Sequence, residues 1–384
     1  MLTPDLITTS CGPNALTLDE KSAKRNNGLE LLRLGAALSV LYGHLVLSAT
    51  FATDLASYVG QVRLPLIPKD THFLWTFGSV YGLLTGGNVT IVGVAIFFLI
   101  TGWLTPDMMK RHKRKAYLIN RFFRIMPLLV FATLLSALII FLGGGTTPIT
   151  FSGVMGTATT TYREIKTPVI LPTVWTLAIE IKFYLIFFAV GKWNDIKLLY
   201  ASSICLVVYF FCVHIGGGAL ILAHDLHYIL FIFTGIALRF AFDYKRFIPA
   251  IFTLSFFNLS RLHYALAEIH PIQTFGISNQ AAALAVLIIC LYYSDRISTS
   301  IRSLANLTYS LYLLHLIPGF ALIYLLRSTM PVPVMICLVV ATIFIISYFS
   351  YNYIERPFMT FGKILVRRLS PGVIIPAVSS SPET

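Results

Sequence analysis

The residues from Glu30 to Phe51, ELLRLGAALSVLYGHLVLSATF, form an apolar run with a cation near its start and an imidazole in its middle. Comparable runs recur at 30–51, 89–105, 126–143, 173–191, 197–218, 227–242, 247–260, 280–294, 308–327 and 332–354. A helix rises about 1.5 Å per residue, so most of these can cross an apolar layer about 30 Å thick. Two long connections, 52–88 and 144–172, carry Pro, Gly and Thr in place of a helical pattern; loops of that kind often serve as lids or binding surfaces. The pattern predicts an all-α polytopic membrane protein of about ten transmembrane helices, without internal repeats or an appended soluble domain.

Composition agrees. With 57% hydrophobic and only 12% charged residues, the chain is excluded from the soluble globular class. A formal charge of +13 invites a nucleic-acid partner, but the cations cluster at the ends of the apolar runs. Placing the N-terminus in the cytoplasm puts 22 of the 29 Lys and Arg on the inner side and six on the outer. That imbalance follows the positive-inside rule and predicts both termini inside, with no nucleic-acid partner. The expected organisation is an arm at 1–27, a transmembrane domain at 28–362 and a tail at 363–384, with arm and tail disordered. The arm lacks an apolar core segment, so no cleavable signal peptide is expected and the first helix acts as the insertion signal. Cys11, Cys205, Cys212, Cys290 and Cys337 show no metal or disulfide spacing and read as packing residues.

Candidate chemistry sits where the apolar pattern is interrupted. Ten residues separate Arg33 from His44, which places His44 roughly 16 Å further along the axis, near the midplane. Ionisable groups at that depth usually mark a pathway, relay or site; the alternative is a neutral histidine satisfied by a neighbouring hydroxyl. Arg121 and Arg124 lie three apart on one helix face, beside Pro127 where the third run enters the membrane. Their planar forks suit phosphate or carboxylate, whereas the preceding KRHKRK at 110–115 reads as membrane anchoring. In the fourth run Glu180 is expected at the depth of His44, able to fix its tautomer and stabilise its imidazolium. A Glu180–Lys182 ion pair is disfavoured because residues two apart face different ways.

Other stretches carry weaker signals. AHDLH at 223–227 offers two histidines and an aspartate, but its spacing does not define a metal site, and an outer turn without metal is expected. RLHYALAEIHP at 261–271 reads as a solvated loop or an acceptor-binding rim. Ser310 and His315 are five apart, so they do not share a face as a nucleophile pair. Tyr309, His315 and Trp175 are candidate substrate-binding residues. Pro357 is expected to end the last helix, with Glu355 answering one of the inner arginines, and Gly102 to admit a close backbone neighbour.

Six stretches, LELLRLGAALSVLYGH, GVAIFFLITGWL, NRFFRIMPLL, WTLAIEIKFYL, LTYSLYLLHLIP and YIERPF, follow one another in an order that resembles the acyltransferase-three family of integral-membrane acyltransferases. The resemblance covers about 27 to 361. It implies a ten-helix enzyme of the bacterial inner membrane that moves an acyl group, commonly acetyl, from cytoplasmic acyl-coenzyme A to a carbohydrate hydroxyl. Acceptors in the family include O-antigen, exopolysaccharide and other free or lipid-linked saccharides. By position, Arg33 and His44 match the family's arginine–histidine motif, Arg121 and Arg124 its basic motif, and Glu180 its acidic residue in the fourth span. The implied roles are His44 as base or acyl carrier with Glu180 in support, the three arginines on coenzyme A phosphates, and acetyl-coenzyme A as co-substrate.

The chain also departs from the pattern. Glu30 stands in LELLR for the usual acid after LD, Thr101 replaces a serine, and a pair of fourth-span carboxylates is reduced to Glu180 with Lys182 downstream. No residues for a C-terminal hydrolase-like domain follow, so direct transfer to the final acceptor is expected. The rival reading is a proton-coupled transporter or flippase for a lipid-linked saccharide, using the same buried His and Glu as a relay; such proteins more often carry internal repeats.

Overall fold

A computed structural model describes residues 26–48, 89–111, 114–143, 148–191, 193–266, 275–326 and 329–369. The arm at 1–25, the connection at 49–88 and the residues after 369 lie outside the described residues. The described chain is helical throughout, with no strand. α1 (Asn27–Tyr42) is capped by Asn26, whose side chain accepts from the Leu29 amide, and continues as a π-turn, Gly43–Ser48. Then follow α2 (Val89–Arg111), α3 (Arg114–Leu142), α4 (Phe151–Ala158), α5 (Val174–Val190), α6 (Asp195–Ile215) and α7 (Ala219–Tyr244). After these come α8 (Ile248–Leu266), α9 (Ile277–Tyr292), the short α10 (Ile301–Asn306), α11 (Thr308–Leu314) and α12 (Leu316–Leu326). α13 (Val332–Ser350) runs through a π-turn, Tyr351–Glu355, into α14 (Arg356–Leu369).

Among the described residues, every apolar run of the sequence is mostly helical. Among the described residues, six helical stretches are long and apolar enough to cross a membrane, or seven if the bent pair α11 and α12 is one span. The chain is a multi-pass membrane protein.

α2 is the hub: it packs on α1, α7 and α9 and touches α3 and α5. Its sequence explains the role. A Cβ on Gly102 would collide with the Ile232 carbonyl oxygen, and one on Gly235 with that of Leu99, so the two backbones approach as closely as helices can. The side chains around this contact, Phe98, Leu99, Ile232 and Ile236, are almost wholly buried.

Three expectations are corrected. AHDLH is not a turn: it forms the second and third turns of α7, and Asp225 is completely buried. Residues 261–266 of the expected loop are the last turns of α8. Pro357 does not stop the helix; it follows the π-turn Tyr351–Glu355 as the second residue of α14, and helix persists through 363–369. The connection after α3 also holds a helix of its own, α4, capped by the Thr150 hydroxyl on the Gly153 amide. Cys205, Cys212 and Cys290 are buried as expected, whereas Cys337 is exposed; all four are free thiols.

Candidate functional site: an arginine-lined cavity beside a histidine pair

Between α1, α2, α3, α5 and α11 lies a cavity of about 110 Å³. Arg33, Arg121 and Arg124 line it, together with Thr101, Thr176, Glu180, Tyr309 and Tyr312. α3 supplies Arg121 and Arg124 from one face, as their spacing requires. The two cations are held without carboxylate partners among the described residues. The guanidinium of Arg121 sits 4.7 Å over the Tyr184 ring and 5.5 Å from that of Tyr117, and one terminal nitrogen donates to Met108 Sδ at 2.7 Å. Its Nε is shielded from solvent and has no hydrogen-bond partner among the described residues. Arg33 differs, lying 3.7 Å from Glu30 one turn before it.

Glu180 faces the same cavity. It accepts from the Tyr184 hydroxyl, one turn on, and from Thr101 Oγ1 at 3.2 Å. Thr101, noted in the sequence only as a departure from a motif, is thus a direct partner of the acidic residue. Lys182 does not pair with Glu180. It turns instead to Glu164 and to Asp225 of α7. At the end of the π-turn before α14, Glu355 is buried, accepts from Ser310 Oγ at 3.0 Å and feels the charges of Arg124 and Arg33.

His44 is not bound to Glu180. Its Nδ1 lies 2.8 Å from Nε2 of His315, with the two rings stacked at 5.1 Å. Local structure sets this meeting at both ends. His44 opens the π-turn that follows α1, a distortion that often accompanies functional sites. His315 is the break between α11 and α12, which meet at 57°; Pro318 three residues on cannot donate to the Leu314 carbonyl.

The bonds fix which nitrogens carry protons. His315 Nδ1 faces two carbonyl oxygens, Leu311 at 3.0 Å and Tyr312 at 2.9 Å, so it is a donor. In the neutral ring its Nε2 is then an acceptor, and His44 Nδ1 must donate to it. The remaining nitrogen of His44, Nε2, is left with its lone pair free. That assignment follows from the partners, not from observed hydrogens. A protonated His44 would keep the same bond, with His315 as acceptor. The contact with His44 that was expected of Glu180 is made instead by His315.

The two parts are adjacent. Phe97 and Tyr312, both lining the cavity, meet edge-on at 5.5 Å, and the Tyr312 ring lies 6.2 Å from that of His315. Tyr312 is held by the Thr176 hydroxyl at 2.7 Å and the Thr173 carbonyl at 3.2 Å. Of the candidate substrate residues, Tyr309 lines the cavity and donates to the Ile125 carbonyl at 2.8 Å. His315 joins the histidine pair. Trp175 stands one ring away, edge-on to Phe98 and against Tyr228 and His224.

No signal in the sequence reveals the His44–His315 contact, because 271 residues separate the partners. No curated protein and no solved structure matches the chain. The family model described as an acyltransferase domain, acyltransferase-3, matches residues 26–351, nearly all of the helical bundle and every residue of the cavity and histidine pair. The chain belongs to the acyltransferase-3 family.

Proposed function

We propose that the protein is an O-acyltransferase that moves an acetyl or other short acyl group from cytoplasmic acyl-coenzyme A to a hydroxyl of an exported or cell-surface saccharide. Ten helices with both termini in the cytoplasm, in a bacterial inner membrane, would put the arginine-lined cavity on the donor side. The observation that carries the reading is the adjacency of that cavity to the histidine pair through Tyr312: the guanidiniums of Arg121 and Arg124, without an ion pair among the described residues, at one end, and the His44 imidazole next to the other.

In this reading Arg33, Arg121 and Arg124 hold the donor's phosphates by charge-assisted bonds. The pantetheine arm passes Thr101 and Tyr309 toward Tyr312, bringing the thioester carbonyl to the histidines. Nε2 of His44 takes the proton of the acceptor hydroxyl as its oxygen attacks; the new C–O bond forms, the C–S bond breaks, and the proton passes to the departing thiolate. Imidazole, with an unperturbed pKa of about 6.5, suits both steps. The same nitrogen can instead carry the acyl group, and trapping an acetyl-enzyme in the absence of acceptor separates the two routes. Glu180, bound to Thr101 and Tyr184, fits a supporting role on the donor side better than direct contact with His44.

The test feeds membranes with acetyl-coenzyme A labelled in the acetyl group and follows label into extracted saccharide. Transfer by wild type and none by His44→Ala is the expected result. Saccharide reaching the surface only with the protein present, but unlabelled, would overturn acyl transfer in favour of transport.

A further inference from the structure

The positive charge does not end at the cavity. α14 lies along α3, and its Gly362 sits flush on Phe123: a Cβ there would come within 2.8 Å of the Phe123 Cβ. Phe361 meets the same Phe123 edge-on at 5.2 Å. This close approach brings the next residue of each helix, Lys363 and Arg124, together. Lys363 is within electrostatic reach of Arg124 and of Arg367, which follows it one turn along the same face. Lys363 and Arg367 are exposed, while Arg124 is half-buried and lines the cavity. Among the described residues no carboxylate closes an ion pair on Lys363 or Arg124. Glu355, the carboxylate that acts on Arg124, is buried and already bound by Ser310. Packing has thus set Lys363 beside Arg124, two like charges that repel one another unless an anion sits between them.

We infer that Lys363, with Arg367 one turn along, joins Arg124 in a phosphate-binding subsite at the edge of the cavity, beyond Arg33 and Arg121. It deepens the acyl-transfer reading and rests on it for one of two possible sources of phosphate. One source is the nucleotide end of the donor, whose phosphomonoester offers three acceptor oxygens and nearly two charges. The other is an anionic lipid headgroup, because α14 exposes Phe358, Phe361 and Ile364 beside its cations, as an interfacial helix does.

Purified wild type, Lys363→Gln and Lys363→Arg distinguish these. Protection from thermal unfolding is titrated with coenzyme A, 3′-dephospho-coenzyme A and pantetheine in detergent, then repeated in nanodiscs with and without phosphatidylglycerol. If the donor supplies the phosphate, Lys363→Gln raises the coenzyme A needed for half-protection about tenfold, loses discrimination against the dephospho form, and Lys363→Arg restores both. If lipid supplies it, the coenzyme A curves coincide and only the stabilisation by phosphatidylglycerol is lost. A Lys363→Gln protein that matches wild type in both arms overturns the subsite. Failure of coenzyme A to protect wild type would instead sink the acyl-coenzyme A reading, and the lipid arm alone would then decide the subsite.

Discussion

Two clusters of cations lie within this bundle, and they are treated in opposite ways. Around Asp225, every charge is answered. Its carboxylate, with no exposed surface, receives Arg163 at 3.0 Å, His224 at 3.2 Å and Lys182, which also binds Glu164. The network ties the segment after α4 to α5 and α7. Around the cavity, Arg121 is cushioned on tyrosine rings and a methionine sulfur, feels Glu180 without closing an ion pair on it, and keeps an Nε with no hydrogen-bond partner among the described residues, while Arg124 closes no ion pair among them either. Burying a cation without a counter-charge costs several kcal/mol, so a saturated network reads as a clamp and an unsaturated one as a place kept for an anion. Both clusters hold conspicuous charged residues in apolar sequence. What separates them is the partner set, which only the fold supplies.

The largest expected effect lies at the reacting end. His44→Ala should lower acyl transfer about 10²- to 10⁴-fold, the range of a lost general base, while the protein still inserts and unfolds at nearly the wild-type temperature. Retained turnover would remove His44 from the chemistry and leave the cavity as a binding site alone.

Next comes the clamp. Asp225→Ala leaves Arg163 and Lys182 facing a buried void, and should destabilise the fold by about 3 kcal/mol, the low end for a broken buried pair because both cations reach solvent. The measurement is the thermal midpoint in detergent. Adding Lys182→Met should recover part of the loss, since one unpaired charge goes with it. A neutral Asp225→Ala would mean that the network is ornamental and that the contrast between the clusters fails.

Arg121→Gln should behave in the opposite sense. Removing a cation that has no carboxylate partner should leave the thermal midpoint unchanged or raised, while the KM for acetyl-coenzyme A rises about 10- to 100-fold, as for a hydrogen bond to a charged group. A variant that unfolds early with an unchanged KM would show that Arg121 is a structural residue after all.

How far these clusters could be read from sequence follows from the range of their contacts. Helical rise and the spacing of Arg121 and Arg124 placed both cations on one face, and both line the cavity. The apolar runs also located the long helices, because that information is local, but they located neither α4 nor α14. Gly102 was legible for the same reason: a small residue in an apolar run signals close approach without naming the neighbour. Pairing was not legible. Matching the depths of Glu180 and His44 brought them together on paper, but depth leaves the angle around the bundle undetermined, and Glu180 faces Thr101 and Tyr184. AHDLH looked like a turn because its three polar residues interrupt an apolar run. The helix tolerates them because Arg163 and Lys182 answer Asp225 from outside it, and Ser260 binds His227 at 2.7 Å. α14 was missed because its basic and apolar residues alternate as an interfacial helix requires, a pattern easily read as a frayed tail.

The smallest effect tests whether His315 works through His44. As a positioning residue it should move kcat and leave the KM for acetyl-coenzyme A alone, because it does not line the cavity. His315→Leu removes the acceptor at Nε2, so the Nδ1 proton of His44 has nothing to hold it and the free lone pair is no longer confined to Nε2; a fall in kcat of about 10- to 100-fold is expected. His315→Gln is the gentler change. Its amide oxygen can accept from His44 Nδ1 in place of the imidazole nitrogen, so the tautomer is retained and the loss should stay within about tenfold. A structural role alone would make both variants unfold early without separating them in kcat. Equal losses in Leu and Gln with normal thermal midpoints would point instead to His315 itself carrying a proton, and the pair would then have to be treated as a two-histidine relay and not as a base with its holder.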